Sequence, residues 1–142
     1  MYHPPDRTPS ESNMTPSQKA GTLAEALPYL RAFHGKTLVI RFGGHAMADP
    51  ALKAGFARDV ALLRLVGMKP IVVHGGGWGI DELMKQMGLP EKRYRGLRIT
   101  DERTLTVVEM ALSEMNQELT SLINQQGGRA VGLDGQDGRF IN

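Results

Sequence analysis

The chain has 142 residues, 41% hydrophobic and 23% charged, with a formal net charge of +2 and no cysteine. That length supports one modest core, and a near-neutral balance without a basic run argues against nucleic acid or an anionic membrane as partner. The lack of cysteine excludes disulfide and thiol chemistry.

Residues 1–20 are rich in Pro, Ser, Thr and Asn, too polar to offset the entropy of ordering, and a disordered tail is expected there. With Asp6 and Glu11 and no apolar segment, this start does not read as a secretory signal. No later apolar run is long enough to span a bilayer, so a cytoplasmic location is expected.

Thr22-Leu23-Ala24-Glu25 has the form of a capping box. An amphipathic helix is expected over about 22–34, with Leu23, Ala26, Leu27 and Leu30 on one stripe, Pro28 kinking or splitting it, and Gly35 ending it. Such a helix either packs on its own domain or docks on another subunit. Thr37 to Phe42 reads as a strand buried except at Arg41, followed by the turn Gly43-Gly44. Asp49 and Pro50 are the N-cap and first residue of a helix bearing Leu52, Phe56, Val60 and Leu63, closed at Gly67. Pro70-Ile71-Val72-Val73 is the next strand. Strand, helix and strand at this spacing make a βαβ unit with parallel strands.

The centre of the sequence follows, where Ile71-Val72-Val73-His74 runs into Gly75-Gly76-Gly77-Trp78-Gly79. Ile80, Leu83, Met84 and Met87 then recur at helical spacing, so the stretch reads as strand, glycine loop and helix over about 79–87. Glycines allow close approach to the main chain, and a helix start presents unpaired N–H groups and a positive dipole end. Together these suit a phosphate or carboxylate. The loop fits neither G-x-G-x-x-G nor a Walker A sequence. Residues 91–100 suggest a short hairpin or edge strand. Asp101 caps the longest helix, with Leu105, Val108, Leu112, Met115, Leu119 and Leu122 recurring to about Gln125. Gly127-Gly128 ends it, and Ala130 to Leu133 reads as a further strand. Alternating strands and helices give an α/β fold with a mainly parallel sheet, both glycine turns lying at carboxyl ends of strands.

Several side chains admit two readings. Arg41 beside Gly43-Gly44 either stabilises charge on a phosphoryl group or reaches solvent. Arg98 either binds a carboxylate bidentately or belongs to the surface charge of Lys92, Arg93 and Arg95. Trp78 either stacks on a ligand or covers the core, and His74 reads as structural. His3, His34, His45 and His74 have no metal-ligand spacing, so no metal site is expected among them.

Four motifs in order, Lys36-Thr37-Leu38-Val39-Ile40-Arg41-Phe42-Gly43-Gly44-His45-Ala46-Met47, Val73-His74-Gly75-Gly76-Gly77, Gly96-Leu97-Arg98-Ile99-Thr100-Asp101 and Gly127-Gly128-Arg129-Ala130-Val131-Gly132-Leu133, resemble the N-acetylglutamate kinases of the amino-acid kinase family. The resemblance implies a three-layer αβα sandwich, of which residues 21–142 form the N-terminal, acetylglutamate-binding half. It implies ATP-dependent phosphorylation of the γ-carboxylate of N-acetyl-L-glutamate in arginine biosynthesis. The Mg2+-ATP site lies mostly in the half that the resemblance does not reach, so this chain alone is expected to be inactive. By the same resemblance Gly43, Gly44 and Gly75 hold phosphate, Gly76, Gly77 and Arg98 hold the substrate, and Arg41 and Gly44 act on the phosphoryl group. A homo-oligomer, a dimer or a hexamer built through the N-terminal helix, and an arginine effector are also implied.

Departures are Arg41 where the family has lysine, His45 where it usually has Asn, and Trp78-Gly79 where it usually has Pro-Gln. The arginine-for-lysine exchange keeps charge but changes shape and direction. It also fits an alternative, the non-catalytic, arginine-sensing domain of N-acetylglutamate synthases, which lacks that lysine.

Overall fold

Two parallel strands form the sheet at the centre of the second part of the chain, β1 (Thr37–Phe42) and β2 (Lys69–His74), paired from Thr37 opposite Lys69 to Phe42 opposite His74. They belong to a computed structural model that describes residues 14–139. The other elements are α1 (Pro16–Phe33), α2 (Pro50–Leu65), α3 (Gly77–Gln86), β3 (Arg93–Tyr94), β4 (Leu97–Arg98) and α4 (Glu102–Gln125), with short 3-10 turns at Gly44–Met47 and Asp137–Arg139. The chain divides into two compact units between His34 and Gly35.

The first unit contains α1, which begins earlier than the sequence suggests. Its capping box is Thr15 with Gln18, not Thr22 with Glu25: Thr15 Oγ1 accepts from the Gln18 N–H at 3.3 Å, and Gln18 Oε1 accepts from the Thr15 N–H at 2.7 Å. Pro16 takes the first helical position, where its missing N–H costs nothing. Thr22 lies inside the helix, its hydroxyl donating to the Gln18 carbonyl at 3.1 Å. The expected tail is therefore helical from Pro16 onward, because local capping extends the helix without apolar residues; the tail's first 13 residues lie outside the described ones. Pro28 does not split α1 into two elements. α1 buries none of its own side chains, and Leu23 and Tyr29 are largely exposed.

In the second unit, α4 is the spine. Its first half packs Val107 and Ala111 on Ile80 and Met84 of α3. Its middle packs Met115 and Leu119 on Phe42 and Met47, and its last turns pack Ile123 on Ala57 and Val60 of α2. Phe42 stacks on Phe56 at 4.1 Å between ring centroids. The buried stripe of α4 runs through Thr104, Val107, Ala111, Met115, Leu119 and Ile123. In its N-terminal half this lies one residue before the expected stripe, and Leu105 is half-exposed. The expected register is the more apolar of the two, but Val107 and Ala111 are the residues packed on the neighbouring α3, and Val108 is only partly buried. On α2, Val60 is buried as expected, whereas Leu52 is exposed.

Burial along β1 and β2 alternates instead of being continuous. Leu38, Ile40 and Phe42 turn toward the helices, while Val39, Ile71 and Val73 are more than half exposed on the opposite face. The unit thus supplies a sheet and helices on one of its faces. The expected strand at Ala130 to Leu133 does not pair with the sheet. Its backbone is held by α4 side chains: Asn124 donates to the Ala130 carbonyl at 3.2 Å and accepts from its N–H at 2.7 Å, and Asn116 donates to the Leu133 carbonyl at 3.0 Å. Two asparagine amides substitute for a neighbouring strand.

Candidate active site

The parallel pairing of β1 and β2 brings their carboxyl ends together, and with them the two glycine turns. Phe42 lies opposite His74, and the Gly75 N–H donates to the Phe42 carbonyl at 3.3 Å. Gly43-Gly44 on one strand and Gly75-Gly76-Gly77 on the other therefore form adjacent walls of one end of the sheet. The 3-10 turn starting at Gly44 anchors the first wall by burying Met47 against Met115 and Leu119. Ile80, one turn into α3, anchors the second.

The second wall is a helix start without a side-chain cap. α1, α2 and α4 are capped by Thr15, Asp49 and Asp101, whereas the N-cap of α3 is Gly76, which offers no side chain. The first N–H groups of α3 have no cap acceptor, and the dipole adds positive potential at the same place. A Cβ on Gly76 would fall 2.6 Å from Leu112 Cδ2, so the tip of that half-buried leucine would have to shift. At Gly75 and Gly77 a Cβ would meet nothing within 4 Å, and neither residue has a left-handed φ. Packing explains the middle glycine and leaves the outer two unexplained within the chain itself.

The remaining side chains surround these turns unevenly. Arg41 is exposed at the penultimate position of β1, on the uncovered side of the sheet with Val39, and makes no ion pair among the described residues. His74 is half-buried and its Nδ1 hydrogen-bonds the Gly75 carbonyl at 3.0 Å, a structural role in the glycine turn. Trp78, 54% exposed, does not cover the core; it borders a groove of about 530 Å³ that Lys53, Glu82, Glu114 and Glu118 also line. Lys53 pairs with Glu118 there, joining α2 to α4.

Arg98 comes from the hairpin of β3 and β4, antiparallel with Tyr94 opposite Leu97. Its two-residue turn, Arg95-Gly96, has positive φ at both positions, +49° and +82°, the twist that a tight hairpin needs. Arg98 lies along α3, its side chain only 12% exposed, with Nη2 donating to Asp81 Oδ1 and Nη1 against Met84 Sδ at 2.9 Å. It is therefore not a solvated member of the basic segment. Arg93 pairs with the same Asp81 carboxylate at 3.4 Å and with Glu91. The hydrogen bond and charge of Glu91, with Asp81 adding, push its guanidinium above the ordinary value. Asp81 escaped the sequence reading because nothing local marks it; its importance lies in a partner 17 residues away. Beyond the hairpin, hydrogen bonds from Thr104, its side chain first and its backbone second, hold the Asp101 carboxyl below the usual carboxylate range.

Among the described residues no three carboxylates or histidines converge to hold a metal ion, and no helix is long and apolar enough to cross a membrane. The described residues thus bring together two glycine turns and the uncapped start of α3, with Arg98 fastened along α3 and Arg41 on the uncovered face of the sheet.

Known proteins give this arrangement a context. Residues 36–142 match the amino acid kinase family. The chain is 55% identical over 140 residues to the acetylglutamate kinase of Cupriavidus metallidurans, covering 98% of this chain and 45% of that protein. It is 57% identical over 129 residues to the acetylglutamate kinase of Methylobacillus flagellatus, covering 90% and 44%. Among solved structures, an N-acetylglutamate synthase from Neisseria gonorrhoeae, complexed with coenzyme A and N-acetyl-glutamate, aligns with a TM-score of 0.65 at 26% identity, over 75% of this chain and 25% of that one. The chain spans less than half the length of these curated relatives.

Proposed function

The chain belongs to the amino acid kinase family, and on that premise we propose that it is the acetylglutamate-binding part of an acetylglutamate kinase. The observation that carries the proposal is the uncapped start of α3, with open glycines at 75 and 77, set beside the Gly43-Gly44 turn. Acetylglutamate kinases at 55% and 57% identity support it.

In this reading Arg98 binds the α-carboxylate of N-acetyl-L-glutamate, and Gly76 and Gly77 let the substrate approach the backbone. The γ-carboxylate oxygen attacks the γ-phosphorus of ATP, the bond to the β-phosphate oxygen breaks, and ADP leaves. Gly43, Gly44 and Gly75 let the transferring phosphoryl group approach the backbone, the Gly75 N–H itself being donated to the Phe42 carbonyl, and Arg41 adds a cation from β1. Such a reaction needs positioning and electrostatics, with no covalent enzyme intermediate. ATP is the phosphoryl donor throughout the reading. Among the described residues no three His, Asp or Glu side chains converge on a site for the Mg2+ that accompanies it. Cytoplasmic location, an arginine effector and oligomerisation through α1, whose side chains are left unburied, belong to the same reading.

The test begins with calorimetry of the chain against N-acetyl-L-glutamate: binding that Arg98→Ala abolishes supports the reading, and no binding by the wild-type chain rejects it. By itself the chain is expected to give no acetylglutamate-dependent ADP release. Joined in frame to the C-terminal part of the Methylobacillus flagellatus enzyme, it is expected to turn over, and faster with Arg41→Lys. The competing reading, an arginine-sensing domain of a synthase, is favoured by Arg41 and by the structural likeness to a synthase. It requires arginine binding and no gain from Arg41→Lys.

A further inference from the structure

The hairpin that carries Arg98 has little to hold it in place. β3 and β4 are two residues each, and a two-stranded hairpin is marginal in water by itself. Its apolar residues do not anchor it: Tyr94 is 64%, Leu97 75% and Ile99 51% exposed. Among the described residues, what ties it to α3 is the contact of Arg98 Nη1 with Met84 Sδ at 2.9 Å and charge converging on one carboxylate. Asp81 accepts from Arg98 Nη2, and both of its oxygens lie 3.4 Å from Arg93 Nη2. Arg93 also donates to the Gly96 carbonyl at 3.3 Å, so the second arginine fastens the hairpin's own turn.

We propose that Asp81 is a positioning residue, one that clamps the hairpin to α3 through Arg93 and Arg98 and so fixes the Arg98 guanidinium for a substrate carboxylate. Asp81 lies four residues after Gly77, about 6 Å along the helix axis. The clamp thus places Arg98 one helical turn from the glycine wall, a spacing that suits the two ends of a short dicarboxylate. Glu91 also pairs with Arg93, so the Asp81 charge is available to orient Arg98. Asp81 acts through Arg98 and does not itself touch substrate. The role rests on the acetylglutamate reading above.

Asp81→Asn keeps the shape and removes the charge, and Asp81→Glu keeps the charge. Calorimetry with N-acetyl-L-glutamate is expected to show affinity falling on the order of tenfold or more in Asp81→Asn, with Asp81→Glu recovering part of the loss. Nitrogen-15 NMR is expected to show hindered rotation of the Arg98 guanidinium in the wild-type chain and in Asp81→Glu, and free rotation in Asp81→Asn, with the backbone spectrum of α3 and α4 unchanged. A merely structural role moves the backbone spectrum and spares the distinction between Asn and Glu, and that pattern overturns the proposal. Wild-type binding with equal affinity in Asp81→Asn overturns the role of Asp81 alone. Failure of the wild-type chain to bind rejects the acetylglutamate reading itself, and the positioning role falls with it.

Discussion

The two glycine turns sit side by side at the end of one parallel strand pair, yet they are glycine-rich for different reasons. In the first, Gly44 has φ of +69°, a left-handed conformation that the backbone itself imposes. In the second, only Gly76 is accounted for within the chain, by its approach to Leu112. Gly75 and Gly77 are neither strained nor crowded, and the helix they open is the one of the four α-helices among the described residues without a side-chain cap. The contrast separates the glycines that the fold demands, Gly44 and Gly76, from those it leaves open, Gly43, Gly75 and Gly77.

The sharpest way to break that contrast is at the positions the fold explains. Gly76→Val should cost about 2 kcal/mol by overpacking against Leu112 and Ile80, and Gly44→Ala about 1 kcal/mol through the left-handed backbone. Urea melts showing neither loss would contradict the assignment of these two glycines. At the outer positions the expectation reverses. Gly75→Ala and Gly77→Ala should stay within about 0.5 kcal/mol of wild type in the same melts while weakening N-acetyl-L-glutamate binding. If both bind as well as wild type, the second turn holds no ligand.

The smallest effect concerns a capped helix start set against the uncapped one. The Asp101 carboxyl is held below its ordinary range by Thr104. Its contribution to α4 is therefore fully present above the unfolded carboxylate value, near 3.9, and is lost as pH falls through the lower folded value. Amide exchange at Thr104 should accelerate in that acidic window relative to intrinsic rates, and Asp101→Asn should remove the pH dependence. The first turn of α3, with no carboxylate at its N-cap, should show no such window.

Much of this was legible locally. Asp49 and Asp101 announce their helices because a cap acts on N–H groups two or three residues away, at 2.8 Å to Ala51 and 2.9 Å to Thr104. Thr15 met the same rule but stood in a polar stretch that concealed the helix start. The two glycine turns were readable as turns because apolar strand runs end at both and the helical period of Ile80, Leu83 and Met84 begins directly after the second. Arg98 was ambiguous until its motif was matched, and Asp81 was invisible, since an ion pair between α3 and a hairpin leaves no trace in spacing.

The sequence by itself determined the order of elements, the parallel strand pair and the position of both glycine turns, since capping, turn geometry and side-chain periodicity act over a few residues. Tertiary structure alone decided the rest. It chose the Val107 and Ala111 register of α4 over the more apolar one beside it, Val108 and Leu112. It held Ala130 to Leu133 on asparagine amides instead of a neighbouring strand, and it gave two arginines one carboxylate. Each of these outcomes depends on which surfaces meet across distant parts of the chain, and on charges that find a partner only once those surfaces are in contact.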